Sequence, residues 1–130
     1  MPEPFHILVA EDEALAALAL EDFLSIKGFR VTLAGDGIEA LERFAEDPAD
    51  LLITDLRMPR MDGHALIRAM RERCANLPVL VMTGFLTHDS DLTHERWKPL
   101  EILSKPVNPQ TIVSTLKRML ESPQGQSREA

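Results

Sequence analysis

The sequence predicts an α/β domain built on a doubly wound, five-stranded parallel sheet with helices on both faces. Three observations carry that expectation. Five short runs of strand character recur along the chain, at Ile7 to Ala10, Arg30 to Leu33, Leu51 to Asp55, Val79 to Thr83 and Glu101 to Ser104. Most are separated by stretches whose apolar residues fall at helical spacing. The strands read as continuous apolar runs rather than alternating ones, which is the mark of a parallel sheet covered on both sides. The 130 residues suit one such domain and leave no room for a second; a chain of this size buries roughly two thirds of its unfolded surface.

Each element has its own signal. Ile7-Leu8-Val9-Ala10 leads into a helix from about Ala14 to Ile26, with Ala16, Leu20, Phe23 and Leu24 at helical spacing and Gly28 to end it. After the second strand, Gly35-Asp36-Gly37 reads as a turn, and Ile38 to Ala45 as a short helix with Ile38, Leu41 and Ala45 on one face. Strand three is followed by a breaker-rich stretch and a helix from Gly63 to about Arg73. Between Gly84 and Glu101 a fourth helix is expected to be short or irregular. Asp89, Asp91, His94, Glu95 and Lys98 dominate there, Pro99 interrupts, and only Leu92 and Trp97 are apolar anchors. The last helix, Pro109 to Glu121, carries the stripe Ile112, Val113, Leu116, Met119 and Leu120. Pro123 to Ala130 reads as a disordered tail, so the domain is expected to span residues 1–122.

A formal net charge of -7 argues against binding to DNA, RNA or an anionic membrane, which calls for clustered Lys and Arg. The single cysteine, Cys74, excludes an internal disulfide. No basic segment leads into a long apolar stretch at the start of the chain, and no run approaches the roughly 20 apolar residues of a membrane span. A cytoplasmic protein is expected. His6, His64, His88 and His94 show no ligand spacing, and Met70 and Met119 read as core fillers.

Ligands of open parallel sheets bind beyond the carboxyl ends of the strands, where strand order reverses. The notable polar residues sit there. Glu11 and Asp12 follow strand one, Asp55 closes strand three, Thr83 ends strand four and Lys105 follows strand five. Taken singly, each has a plainer account. A strand-end Asp often forms a turn or cap, Glu11-Asp12-Glu13 could favour the dipole of the first helix, and Thr83 and Lys105 could be ordinary strand and solvated residues. Five such groups converging on one edge from four strands outweigh those separate accounts.

The segments ILVAEDE, LLITDLRMPRMDG, VLVMTG and ILSKPV resemble the receiver domain of two-component response regulators, over about Phe5 to Leu120. The resemblance implies a flavodoxin-like strand order 2-1-3-4-5. It implies that Asp55 accepts a phosphoryl group, that Glu11 and Asp12 hold Mg²⁺ together with Asp55 and the main-chain carbonyl of Arg57, and that Thr83 and Lys105 contact the phosphoryl group. It further implies a cis Lys105–Pro106 peptide, a histidine kinase or histidine phosphotransfer protein as donor, and a signalling domain with autodephosphorylation rather than an enzyme acting on an external substrate. Many receivers carry an aromatic switch residue three places before the lysine; here that place is Ile102, and the chain has no Tyr. The resemblance is closest to stand-alone receivers, with the receiver of a hybrid kinase left open. The downstream protein is expected to bind the 84–104 segment and the last helix.

The chemistry supports that assignment independently. Carboxylates about 5 Å apart repel by on the order of 3 kcal/mol per pair at an effective dielectric near 20, and a hard cation such as Mg²⁺, which takes oxygen ligands and keeps several waters, relieves this. Phosphoryl transfer needs mainly positioning and charge neutralisation from the protein. Two other readings are weaker. An aspartate-nucleophile phosphohydrolase needs a second Asp two places after the nucleophile, where this chain has Arg57; a flavin mononucleotide module needs a glycine- and hydroxyl-rich phosphate loop where Glu11-Asp12-Glu13 would repel the phosphate.

Overall fold

The computed structural model describes residues 4–84 and 97–121. Strands β1 (His6–Ala10), β2 (Arg30–Ala34), β3 (Leu51–Thr54), β4 (Val79–Thr83) and β5 (Leu100–Ser104) form one parallel sheet in the order β2-β1-β3-β4-β5. The order reverses at β1 and β3, so a crevice opens beyond their carboxyl ends. Helices α1 (Ala14–Ile26), α2 (Gly37–Glu46), α3 (Gly63–Arg73) and α4 (Pro109–Glu121) complete the described elements. The expected helix between Gly84 and Glu101 and the expected disordered tail fall largely outside the described residues.

Both faces of the sheet are covered, which is why its central strands lack alternation. Leu8, Ala10, Leu52, Val79 and Val81 point to one side and pack with Ala40 and Phe44 of α2 and Leu66, Ile67 and Met70 of α3. Ile7, Val9, Leu51, Ile53 and Leu80 point to the other and pack with Leu24 of α1 and Ile112, Val113, Leu116, Met119 and Leu120 of α4. Full burial of a Leu or Ile side chain stabilises by about 1.5–3 kcal/mol, so these two layers are the main source of fold stability. Trp97 is a buried member of the first layer, beside Leu100, rather than an isolated anchor.

Helix faces differ from the sequence expectation in two places. On α1 the buried positions are Ala17 and Leu24, with Leu20 and Phe23 half-buried, whereas Ala16 is exposed. On α2 the buried line is Gly37, Ala40 and Phe44, and Ala45 faces outward. Asp36, expected in a turn, is the N-cap of α2, where its side chain accepts from the Glu39 N–H. Gly28 has φ 97° and closes α1, a conformation that glycine adopts without steric cost.

At the amino edge of the sheet two polar side chains tie elements together. Arg71 donates to the carbonyls of Leu77 and Pro99 at 3.0 and 2.9 Å, joining α3 to the approaches of β4 and β5, and burial lowers its pKa. His6 is buried between the Pro48 carbonyl at 3.0 Å and the Thr32 hydroxyl at 2.7 Å, a structural role at the edge opposite the crevice.

Candidate functional site

The sheet ladder itself carries the site. The Glu11 N–H donates to the Ala34 carbonyl at 2.9 Å, continuing the β1–β2 ladder one residue beyond the strand. The Asp55 N–H faces the Ala10 carbonyl at 3.4 Å, and the Lys105 N–H donates to the Thr83 carbonyl at 2.8 Å. Glu11, Asp55 and Lys105 are thus the first residues past β1, β3 and β5. Thr83 is the last of β4, fully buried, and in register with Ser104.

Three of the expected residues meet directly. The Lys105 ammonium donates to Glu11 Oε1 at 3.0 Å and to Asp55 Oδ2 at 2.8 Å. The three side chains are 26%, 11% and 13% exposed, so the pairing is shielded but open to solvent from one side. Partial burial alone depresses the Lys105 pKa; hydrogen bonds and charge from Asp55 and Glu11 outweigh it, and the net shift is upward. Lys105 is therefore charged throughout the physiological range. It also offsets part of the carboxylate repulsion that the sequence alone suggests.

Asp55 is oriented from its own loop. Its Oδ1 accepts from the backbone N–H of Leu56 at 2.6 Å and of Arg57 at 3.2 Å, leaving Oδ2 to face Lys105. The Glu11 carboxylate also works locally: its Oε2 accepts the Glu13 N–H at 3.1 Å. Glu13, the N-cap residue of α1, makes no side-chain cap, so helix capping does not explain this acidic run. Asp12 is exposed beside Glu11, and Arg57 lies two residues beyond Asp55. Lys105–Pro106 is cis, as the resemblance implies, and Lys98–Pro99 is cis as well.

The donor set suits a hard cation. Two carboxylates already share one positive group, so their oxygens lie no farther apart than the sum of those two contacts; Asp12 is exposed and adjoins Glu11 in the chain. No cluster of three or more His, Cys, Asp or Glu groups is gathered for a metal among the described residues. An Mg²⁺ site here would accordingly combine few carboxylates with main-chain and water oxygens, as Mg²⁺ commonly does.

A groove of about 470 Å³ adjoins the site. Glu11 and Lys105 line it together with Ala16, Ala19 and Phe23 of α1 and Ile112 of α4. Leu15 and Leu18, also on α1, are exposed, Leu15 to 83%. Sequence periodicity missed this surface because the alanines of α1 leave the buried stripe ambiguous.

Comparison with known proteins decides the family. A family model described as the response regulator receiver domain matches residues 7–117. The chain belongs to the response regulator receiver domain family. It is 43% identical to the response regulator MprA of Mycobacterium ulcerans over 79 residues, which is 61% of this chain and 34% of MprA. It is 41% identical to the sensor protein EvgS of Escherichia coli K12 over 84 residues, 65% of this chain and 7% of EvgS. The chain therefore spans about a third or less of these curated relatives. Among solved structures, the receiver fold matches chemotaxis protein CheY4 of Vibrio cholerae at a TM-score of 0.83, with 28% identity and coverage of 90% of this chain and 99% of that one. A response regulator receiver protein from Sinorhizobium medicae matches at 0.82, with 29% identity and coverage of 92% and 97%. No helix among the described residues of the receiver is long and apolar enough to cross a membrane.

Proposed function

We propose that this receiver takes a phosphoryl group on Asp55 from a histidine kinase or histidine phosphotransfer protein, in the cytoplasm, and passes the signal on by altered partner binding. The observation that carries the reading is the shared ion pair of Lys105 with Asp55 and Glu11 at the sheet switch point. An Asp55 carboxylate oxygen attacks phosphorus in line; the P–N bond of the phosphohistidine breaks, its electron pair stays on the imidazole, and an acyl phosphate forms. Lys105, already charged and aimed at Asp55, pairs with the incoming phosphoryl oxygens. Thr83, at the end of the neighbouring strand, donates its hydroxyl to them. Glu11, Asp12, Asp55 and the Arg57 carbonyl are the residues suited to hold Mg²⁺, which when bound would neutralise charge on the transferring group.

Incubation of the receiver with acetyl phosphate and Mg²⁺, followed by mass spectrometry, tests this. One phosphoryl group per chain is expected, and none in the presence of chelator. Sustained hydrolysis of the donor without a stoichiometric adduct would instead favour a phosphohydrolase.

The groove between α1 and α4 is suited to seat the helix of a protein donor, because Glu11 and Lys105, which line it, belong to the proposed phosphorylation site. Ala19→Glu puts a charge in that groove at an exposed position, where Ala to Glu changes helix propensity little. Transfer from a phosphorylated histidine phosphotransfer domain should slow by about tenfold or more, equivalent to about 1.4 kcal/mol, with acetyl phosphate labelling unchanged. Equal slowing with both donors would place the defect in the site rather than in docking. The downstream partner is assigned to the 84–104 segment and α4.

A further inference from the structure

The β3–α3 loop, residues 55–62, is closed at its start by the Asp55 side chain and at its end by backbone. At its start the Leu56 and Arg57 N–H groups bind Asp55 Oδ1; at its end the Gly63 N–H donates to the Leu56 carbonyl at 3.0 Å. Its apex is strained. Arg60 has φ 69°, and across it the Met61 N–H donates to the Pro59 carbonyl at 2.7 Å. That hydrogen bond around a positive-φ residue is the pattern of the rare hand of γ-turn, unfavourable for a side chain with a Cβ.

The apex is held from outside the loop. Arg60 Nε and Nη2 donate to Asp36 Oδ2 and Oδ1 at 2.9 and 3.0 Å, a two-pronged ion pair joining positions 24 residues apart. Asp36 is itself fixed as the N-cap of α2 through Glu39. Beside it Met61 packs so closely on Gly37 that a Cβ there would lie 2.8 Å from the Met61 Cβ. The Arg57 carbonyl lies on the span between the pinned start of the loop and this clamped apex.

We infer that Arg60 is a positioning residue: its ion pair with Asp36 holds the strained loop apex, and with it the Arg57 backbone that would offer a carbonyl ligand, and so sets the affinity of the receiver for a divalent cation. The inference rests on the cation site assigned above. Through-space charge acts in the opposite direction, which makes the sign decisive. Arg60→Ala removes a positive charge and leaves Asp36 unpaired, so electrostatics alone would tighten cation binding; the clamp requires it to weaken.

Binding of Mn²⁺ to the full chain, followed by the loss of the free-ion electron paramagnetic resonance signal, reads this without any phosphoryl transfer. Arg60→Ala is expected to weaken Mn²⁺ binding by about tenfold, the low end for partners that orient metal ligands. Asp36→Asn keeps an acceptor oxygen for the α2 cap while losing the ion pair. It should weaken binding too, and combining it with Arg60→Ala should add little, because both remove the same contact. Arg60→Gly relieves the backbone strain. It should therefore keep the wild-type thermal midpoint yet bind Mn²⁺ as weakly as Arg60→Ala, a split that a purely structural role would not produce. Arg60→Lys should recover part of the affinity. Unchanged or tighter binding by Arg60→Ala, with wild-type binding intact and abolished by Glu11→Gln, would overturn the clamp alone. Absence of saturable Mn²⁺ binding by the wild type would overturn the cation site and the clamp together.

Discussion

Asp55→Asn is expected to abolish phosphoryl incorporation from acetyl phosphate while leaving the fold in place. The amide oxygen can still accept the Leu56 and Arg57 N–H bonds that Asp55 Oδ1 accepts, so the start of the β3–α3 loop keeps its anchor. The amide nitrogen, however, is neither a nucleophile nor an acceptor for the Lys105 ammonium, which retains only its contact with Glu11. Two electrostatic changes then oppose each other. Repulsion between positions 11 and 55 is relieved, and one half of a partly buried ion pair is lost, two effects of similar size and opposite sign. The sequence alone suggests a rise in thermal midpoint without Mg²⁺; with Lys105 between the carboxylates the expected change is close to zero. Mass spectrometry of the donor reaction and a thermal melt in chelator measure the two effects separately. Undiminished labelling of the Asp55→Asn protein would remove Asp55 from the reaction. Glu11→Gln combined with Asp12→Asn should likewise prevent labelling, by removing cation ligands rather than the acceptor.

Much of this architecture is legible in the sequence for a physical reason. Strands covered on both faces show as apolar runs, and the bounds of α1, α3 and α4 follow from Gly28, from Asp62-Gly63 and from Pro109. The site is legible in outline because each polar residue ends or closely follows a strand, and parallel strands all end at one edge. What the sequence hides is side-chain direction. Alanine at positions 14, 16, 17 and 19 of α1 leaves several stripes equally apolar, so Ala16 reads as core although Ala17 is the buried one. Asp36 can serve a turn or a helix cap with the same side-chain chemistry, and only the path of α2 selects the cap. The contacts of Asp36 with Arg60 and of Lys105 with Glu11 join residues far apart in the chain, and no local pattern encodes such pairs.

Gly63→Ala is expected to be the most damaging glycine-to-alanine substitution among the described residues. Gly63 begins α3 directly behind Asp55, the proposed phosphoryl acceptor, and a Cβ built there would clash with the Asp55 carbonyl oxygen and lie 2.8 Å from the Leu56 Cα. Both obstacles are backbone, so no side-chain rotation clears them. Relief requires α3 to withdraw from β3, which would open the layer where Leu66, Ile67 and Met70 are packed, or requires the backbone of Asp55 itself to shift. Overpacking of this kind typically costs about 1–3 kcal/mol, and with rigid backbone on the other side the upper end applies. For a domain of this size that corresponds to a fall in thermal midpoint of roughly 10 °C. Because the strain is delivered to the peptide that carries Asp55, the effect should not stop at stability. Labelling by acetyl phosphate, measured well below the lowered midpoint where the variant is folded, should also slow, since a displaced Asp55 loses its alignment with Lys105. Gly84→Ala is the control: among the described residues no atom lies within 4 Å of a Cβ at that position, so its midpoint should stay near that of the wild type. Equal midpoints for Gly63→Ala and Gly84→Ala would show that the contact between α3 and Asp55 is looser than the structure has it.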